Sequence, residues 1–173
     1  FDGWKMWFER IGQLTEWPER VCLGWDCLIV LRSSLRAALP NEGCALLLGT
    51  AHAANPRTWW VQQIWPCCNV WRPGLEALPE LPEAVPTRRN RFALDPREQL
   101  HAQRWARDRG IQVLGTAHSH PGGQPRPSDQ DQRWMVQPGL MLIMGKDAQV
   151  EAWWIAAGVS TRLPLVHTHG NDG

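Results

Sequence analysis

Residues 115–131, GTAHSHPGGQPRPSDQD, constrain the fold more than any other part of the chain. The apolar residues before His118 predict a strand, in which residues two apart project from the same face, so His118 and His120 point the same way. The segment PGGQPRP cannot extend a strand or a helix and must turn the chain. If Ser128 then starts a helix, Ser128 and Asp131 lie on one side of its first turn. The sequence therefore predicts a strand–turn–helix unit that could return Asp131 towards the two histidines.

Three of these side chains are candidate metal ligands. The two imidazoles of His118 and His120 and the carboxylate of Asp131 form a three-ligand set. Three protein ligands around zinc leave a fourth position open to water, which is typical of a catalytic site, so hydrolysis is the predicted chemistry. The C-terminal pair His167 and His169 has the same spacing, but no serine or acid follows it. We therefore assign that pair to a tail.

Strands and helices alternate along the rest of the chain, which predicts one α/β domain. Apolar runs predict strands at 28–31, 44–50, 59–69, 111–120, 139–145 and 149–156, and a further short strand between 162 and the tail. A first helix should begin near Ser33 or Ser34, because either hydroxyl can cap the exposed amides. A last helix should run from Ser128 to about Val136.

The segment DPREQLHAQRWARDRG predicts a further amphipathic helix. Asp95 stands at its N-cap, Pro96 at its first helical position and Gly110 after its last turn, which are the residues that favour these places. We expect Leu100 and Trp105 to form its buried stripe.

Charge and length exclude several classes of protein. A net charge of +1 argues against a partner bound through nucleic-acid phosphates, and no apolar run reaches the roughly 18–20 residues that cross a bilayer. The N-terminal segment has charges among its apolar residues and does not resemble a signal peptide. Five cysteines, an odd number, indicate reduced thiols in a cytoplasmic protein, although a structural zinc at Cys67 and Cys68 stays open. Two arginine groups predict solvated faces or contact with an acidic partner; they are Arg88, Arg89 and Arg91, and Arg104, Arg107 and Arg109.

The motif HSHPGGQPRPSDQD resembles the signature of the JAMM family of metalloproteases, also called MPN+ or JAB, in which HxH, seven residues and SxxD follow an upstream glutamate. The segment PNEGCALLLG resembles the context of that glutamate and places it at Glu42. Further similarity lies in CCNV, which contains the family's asparagine, and in NRFALDPREQ, which contains its F-x-x-D-P helix start. The resemblance is closest to the bacterial-type single-domain branch, which includes a peptidase that releases cysteine from a sulfur-carrier protein.

The resemblance implies a single MPN-like α/β domain, with a mixed curved β-sheet flanked by helices in a cytidine-deaminase-like layering. This domain should occupy 27–166, after a Trp-rich N-terminal extension over 1–26 and before a tail over 167–173. Residues 71–90 have no counterpart in the family and hold four prolines, so we expect a loop insert there, which could form a flap over a substrate channel.

The resemblance also implies the roles of the site residues. His118, His120 and Asp131 would bind one Zn²⁺ per chain. Glu42 would be the general base that takes a proton from the attacking water and passes it to the leaving amine. A carboxylate near a cation is expected to keep a low pKa. Ser128 would donate a hydrogen bond to the oxygen of the tetrahedral intermediate.

The implied substrate is a ubiquitin-like or sulfur-carrier protein, cut at the amide bond after its C-terminal Gly-Gly. A strand without side chains can add to a sheet edge and pass through a narrow channel. Three alternatives stay open: a peptidase acting on small amino-acid conjugates, a RadC-like protein associated with DNA repair, and a non-catalytic MPN interaction module. We expect no nucleic-acid partner and no membrane, and the oligomeric state is open.

Overall fold

The computed structural model describes residues 17–75, 85–135 and 137–169. Within these ranges the chain forms eight strands and three helices. They are β1 (Arg20–Gly24), α1 (Trp25–Ala37), β2 (Cys44–His52), β3 (Asn55–Cys67), α2 (Pro96–Arg107), β4 (Gln112–Ser119), α3 (Asp129–Trp134), β5 (Gly139–Met144), β6 (Val150–Ala156), β7 (Val159–Leu163) and β8 (Leu165–Thr168).

All strands belong to one mixed sheet with the order β7-β6-β5-β4-β2-β3-β1-β8. Three neighbouring pairs are parallel, β1 with β3, β1 with β8 and β4 with β5, and the others are antiparallel. Strands β7 and β8 occupy opposite edges, yet only Pro164 separates them in the chain. The sheet must therefore curve until its two edges approach each other. This architecture confirms the predicted α/β domain with a mixed, curved sheet.

Helices cover both faces of this sheet. On one face α1 buries Leu28, Leu31 and Leu35, which follow one another at helical spacing and pack in the largest apolar cluster. On the opposite face α2 buries Ala102 and Ala106 against β2 and β4. Both faces of the central strands are therefore shielded from water, which explains why β2 reads as a continuous apolar run.

The predicted strand at 28–31 is wrong, because these residues lie within α1. The apolar run there is too short to distinguish a strand from a buried helix by periodicity, and the spacing of Leu28, Leu31 and Leu35 is helical. Helix α1 begins at Trp25 rather than near Ser33 or Ser34, and its N-cap, Gly24, supplies no side-chain cap. The first strand is β1, which lies in the segment that the sequence assigns to an extension.

Helix α2 confirms the predicted cap and differs in its buried stripe. The Asp95 side chain accepts a hydrogen bond from the Arg97 amide, and Pro96 opens the helix. Leu100, however, is 51% exposed, so its predicted burial is wrong. The small side chains of Ala102 and Ala106 face the sheet and let the helix lie close to it, while Trp105 is partly buried beside them, as predicted.

The C-terminal region differs from the prediction as well. The prediction of a tail at His167 is wrong, because this residue lies in β8, which pairs with β1. Helix α3 ends at Trp134, before the predicted end near 136. Strands β2 and β4 and the β5–β6 hairpin are confirmed, whereas β3 starts earlier than predicted and ends at Cys67. All five cysteines are free thiols.

The described parts of the predicted loop insert, 71–75 and 85–90, contain neither a helix nor a strand. The rest of that prediction, and residues 1–16 of the N-terminal extension, lie outside the described residues. No helix in the described ranges has the length and apolar character needed to span a bilayer.

Candidate active site

The candidate site forms where the start of β2 meets the end of β4. The two strands are antiparallel neighbours, and Cys44 pairs with His118. Just beyond this pair, the Gly43 amide donates to Ser119 Oγ at 2.9 Å, and the Ser119 amide donates to the Gly43 carbonyl at 3.0 Å. These two buried hydrogen bonds join positions 76 residues apart. They bring Glu42, which precedes Gly43, to the end of the strand that carries the histidines.

The two predicted histidines and the predicted aspartate converge at this place. The Nε2 atoms of His118 and His120 are 2.9 Å apart. Asp131 Oδ1 lies 3.3 Å from the first of these nitrogens, and its Oδ2 lies 3.3 Å from the second. His118 and Asp131 are buried, and His120 is 14% exposed. Among the described residues these three form the one group whose ligand atoms lie close enough together to hold a metal ion.

Helix α3 orients Asp131 through a capping box. The Ser128 amide and hydroxyl both donate to Asp131 Oδ2 at 2.7 Å, and the Asp131 amide donates to Ser128 Oγ at 3.1 Å. Oδ1 receives no hydrogen bond from this cap. The local sequence SDQD thus starts the helix and aims the carboxylate at the histidines, because the cap and the candidate ligand share one side chain.

The two histidines are held in different ways. His120 Nδ1 lies 3.0 Å from the Gln124 carbonyl, a contact that favours a proton on Nδ1 and leaves Nε2 free to bind a metal. His118 Nδ1 is buried and has no hydrogen-bond partner among the described residues. Instead, the Phe92 ring stacks on the His118 ring with 4.4 Å between centroids and 19° between planes.

Glu42 is buried, with 6% of its surface exposed. Its amide donates to the Arg88 carbonyl at 2.7 Å, and its carbonyl accepts from Asn69 Nδ2 at 3.0 Å. Burial raises the pKa of Glu42 to about 8; the charge of His120 opposes this effect and that of Asp131 adds to it. The sequence-based expectation of a low pKa for Glu42 considered only the charge of a nearby cation. Burial acts in the opposite direction and is the larger effect in the metal-free chain.

The charges of His118, His120 and Asp131, which we call the triad, shift one another's pKa values. Burial disfavours the charge on Asp131, but the charges of both histidines and hydrogen bonds to them hold its pKa well below the usual value. Burial lowers the pKa of His118, despite the nearby Asp131. Burial also opposes the charge on His120, but the hydrogen bond to Asp131 and its charge raise that pKa. A cation needs the ionised Asp131 carboxylate and neutral imidazoles, so any proton that Asp131 stabilises on His120 has to leave when a metal binds.

The donor set fits a divalent transition metal. Two imidazole nitrogens and one carboxylate oxygen suit zinc, and they leave part of its coordination sphere for water or substrate. Glu42 lies outside the ligand group but close enough for its pKa to respond to two of its members. The arrangement thus combines a candidate cation site with a separate buried carboxylate that can carry a proton.

The family described as prokaryotic homologs of the JAB domain matches residues 26–156. This match spans most of the chain and includes Glu42, both histidines and the SxxD segment. The chain belongs to this family. The match confirms the resemblance seen in the motif, and it covers the strands β2 and β4 that bring the site together.

Similar proteins agree with this assignment. A desampylase from Pyrococcus furiosus is 35% identical over 63 residues, which is 36% of this chain and 45% of that protein. The match therefore spans less than half of the length of this relative. A solution structure from Desulfitobacterium hafniense has a TM-score of 0.70 and 27% identity, covering 88% of this chain and 95% of that one. A solution structure of a protein from Salinibacter ruber has a TM-score of 0.57 and 26% identity, covering 86% of this chain and 92% of that one.

The sequence motifs did not predict the contacts of three residues at the site, Ser119, Phe92 and Asn69. Ser119 looks like a spacer between the histidines, but its hydroxyl joins β4 to Gly43. Phe92 and Asn69 occur in segments with family resemblance, but no local pattern shows that they touch His118 and Glu42. Cys67 and Cys68 do not belong to any described group that could hold a metal.

Proposed function

We propose that this JAB-family protein is a metal-dependent peptidase. It would cleave the amide bond after the C-terminal Gly-Gly of a ubiquitin-like or sulfur-carrier protein. The observation that carries the proposal is the triad of His118, His120 and Asp131 with the buried Glu42 beside it, outside the ligand group. The partial similarity to a desampylase supports a hydrolase that acts on a protein modifier. Reduced cysteines favour a cytoplasmic location for it.

In this proposal the triad would hold one Zn²⁺. The ion would supply a Lewis acid that polarises the substrate carbonyl and makes water more acidic. Glu42 would accept a proton from the attacking water and pass it to the leaving amine. Burial raises its pKa to about 8 in the metal-free chain, and a bound cation would lower that pKa towards the working pH, which suits this exchange. The Ser128 hydroxyl, which in the structure donates its one proton to Asp131 Oδ2, would turn that proton to the oxyanion, while the Ser128 amide would keep its hydrogen bond to Asp131.

The family and the burial of the site support the proposed substrate class. Glu42 and His118 are buried, and a scissile bond on an extended and narrow segment would reach them with the least steric hindrance. Two glycines meet that demand because they carry no side chains. Release of cysteine from a sulfur-carrier protein is the specific reaction that we propose.

The alternatives differ in features that can be observed. A non-catalytic module would lack ligands or the base, whereas all five motif residues are present here. A RadC-like protein would share the HxHPxGxPxPSxxD loop, but the near-neutral charge does not favour a nucleic-acid partner. A peptidase for small amino-acid conjugates would use the same five motif residues without a carrier protein.

The decisive experiment measures the intact mass of a small diglycine-tailed sulfur-carrier protein that ends in one added cysteine. The full chain loaded with Zn²⁺ should remove the cysteine. A chelated sample and the Glu42→Gln variant should not, although the variant keeps its zinc. Glu19→Gln, which changes a largely exposed carboxylate, serves as the matched control and should cleave at the wild-type rate.

The outcomes of this experiment distinguish the proposed carrier-protein peptidase from the alternatives. Cleavage that requires both the metal and Glu42 supports the peptidase and its substrate class. A zinc-loaded protein that leaves the carrier intact but cleaves a dipeptide conjugate would replace the carrier by small conjugates. A protein that binds no zinc would contradict the proposed mechanism.

A further inference from the structure

The orientation of His118 needs an explanation. A histidine that binds a metal through one nitrogen is normally held by a hydrogen bond to the other, as the Gln124 carbonyl does for His120. His118 directs Nε2 towards His120 and Asp131, while its buried Nδ1 has no partner among the described residues. The most buried candidate ligand therefore has no orienting hydrogen bond from a described residue, which makes the packing around its ring the first candidate for that role.

Phe92 supplies that packing. Its ring lies nearly parallel to the imidazole of His118, with the centroids 4.4 Å apart. A stacked ring at this distance restricts rotation of the imidazole about its last side-chain bond, because any large turn would bring the ring edge into the aromatic face. Phe92 is only partly buried and belongs to none of the apolar core clusters, so its packing serves this contact more than the core.

Asn69 fixes the position of Phe92. Its Oδ1 accepts from the Ala93 amide at 3.2 Å, and its Nδ2 donates to the Arg91 carbonyl at 2.8 Å, so the residues on both sides of Phe92 are held. The same Nδ2 donates to the Glu42 carbonyl at 3.0 Å. One carboxamide therefore ties the segment of the stacking ring to the segment of the proposed base.

We propose that Phe92 is a positioning residue for the metal ligand His118, and that Asn69 acts through Phe92. The ring holds the imidazole in the orientation that binds the cation, and the carboxamide keeps the ring and Glu42 in register with each other. This inference rests on the proposed metal site of His118, His120 and Asp131. It concerns metal affinity, which can be measured without any peptidase substrate.

A competing explanation is a polar contact to His118 Nδ1 through a bridging water. Thr116 lies two residues earlier in β4, on the same face, and its buried Oγ1 also has no partner among the described residues. If a water joined these two atoms, Thr116 would orient the imidazole and the Phe92 ring would be dispensable. Thr116→Val, which removes the hydroxyl and keeps the shape, tests this explanation.

The experiment titrates the chelator-treated full chain with Co²⁺ and follows the visible d–d absorption. A competing chromophoric chelator then gives the Zn²⁺ affinity. Phe92→Leu should weaken metal binding by about 10–100-fold, the usual effect of removing a residue that orients a ligand. Phe92→Tyr keeps the ring and should bind as the wild type does. Trp105→Leu, which removes a partly buried aromatic ring outside the site, should also leave the affinity unchanged.

Asn69→Asp replaces an amide donor by a carboxylate that faces two carbonyls. It should weaken metal binding, and it should add little to the loss in Phe92→Leu, because the two residues act in one chain of contacts. Cooperative thermal unfolding of each variant shows that it is folded. If Phe92→Leu does not fold, Phe92→Met takes its place, since it keeps the volume and removes the ring.

The results separate this inference from the proposed function. A wild-type chain that binds neither metal overturns both. Metal binding by the wild type with equal affinity in Phe92→Leu overturns the role of the ring, and a loss confined to Thr116→Val assigns the role to a polar contact. Additive losses in the double variant overturn the statement that Asn69 acts through Phe92.

Discussion

Replacing the buried Glu42 by glutamine should change how the stability of the metal-free protein depends on pH. Burial raises the pKa of Glu42 from 4.5 to about 8 in the folded chain. The folded state then binds the proton more tightly than the unfolded state does. The stability that this proton contributes is complete below about pH 4.5 and is lost as the pH rises through about 8. The glutamine of the Glu42→Gln variant does not titrate in this pH range, so the variant is the reference for the pH dependence of the wild type.

The size of the effect follows from the two pKa values. Their difference, about 8 less 4.5, is about 3.5, which corresponds to about 5 kcal/mol once the carboxyl group is fully ionised in both states. Between about pH 5 and about pH 8 the free energy of unfolding of the wild type should fall by about 3.5 kcal/mol relative to Glu42→Gln. A bound cation should reduce this change, because its positive charge favours the ionised carboxylate.

Urea unfolding in the presence of a chelator, followed by tryptophan fluorescence, measures this difference at several pH values. Glu19→Gln provides the control, since its side chain is 60% exposed and the variant should track the wild type. A difference between wild type and Glu42→Gln that stays constant from about pH 5 to about pH 8 would refute the burial argument. Glu42 would then be solvated in solution and poorly suited to the role of a proton carrier.

Three further substitutions test other parts of the site. Asp131→Asn should abolish stoichiometric zinc binding, which metal analysis of the purified chain measures. Ser128→Ala removes two capping hydrogen bonds and should cost about 1 kcal/mol of stability, and a fall of about 10²–10³ in kcat with zinc retained would support the oxyanion contact. Gly43→Ala would place a Cβ 2.6 Å from the Leu35 carbonyl oxygen, so urea unfolding should show a loss of about 1–3 kcal/mol. Gly122→Ala, whose Cβ would meet nothing within 4 Å, should be neutral.

Local signals predicted much of the fold. The β5–β6 hairpin and α2 were predictable because a turn, a cap or a proline marks their boundaries. The start of α1 was not, because the four-residue apolar run at 28–31 is too short to distinguish a strand from a buried helix. The burial of Ala102 in place of Leu100 depends on how closely α2 approaches the sheet, which no local pattern records.

The sequence by itself determined which residues form the candidate ligand group. His118, His120 and Asp131 lie within one strand–turn–helix unit, in which strand alternation places the histidines on one face and the capping box orients the carboxylate. Only the tertiary structure decided what surrounds them. The pairing of β2 with β4 brings Glu42 to the triad, and the contacts of Asn69 place Phe92 on His118. The physical reason is range: backbone periodicity relates residues a few positions apart, whereas burial of Glu42 and stacking on His118 arise from strand pairing and packing across the whole sheet.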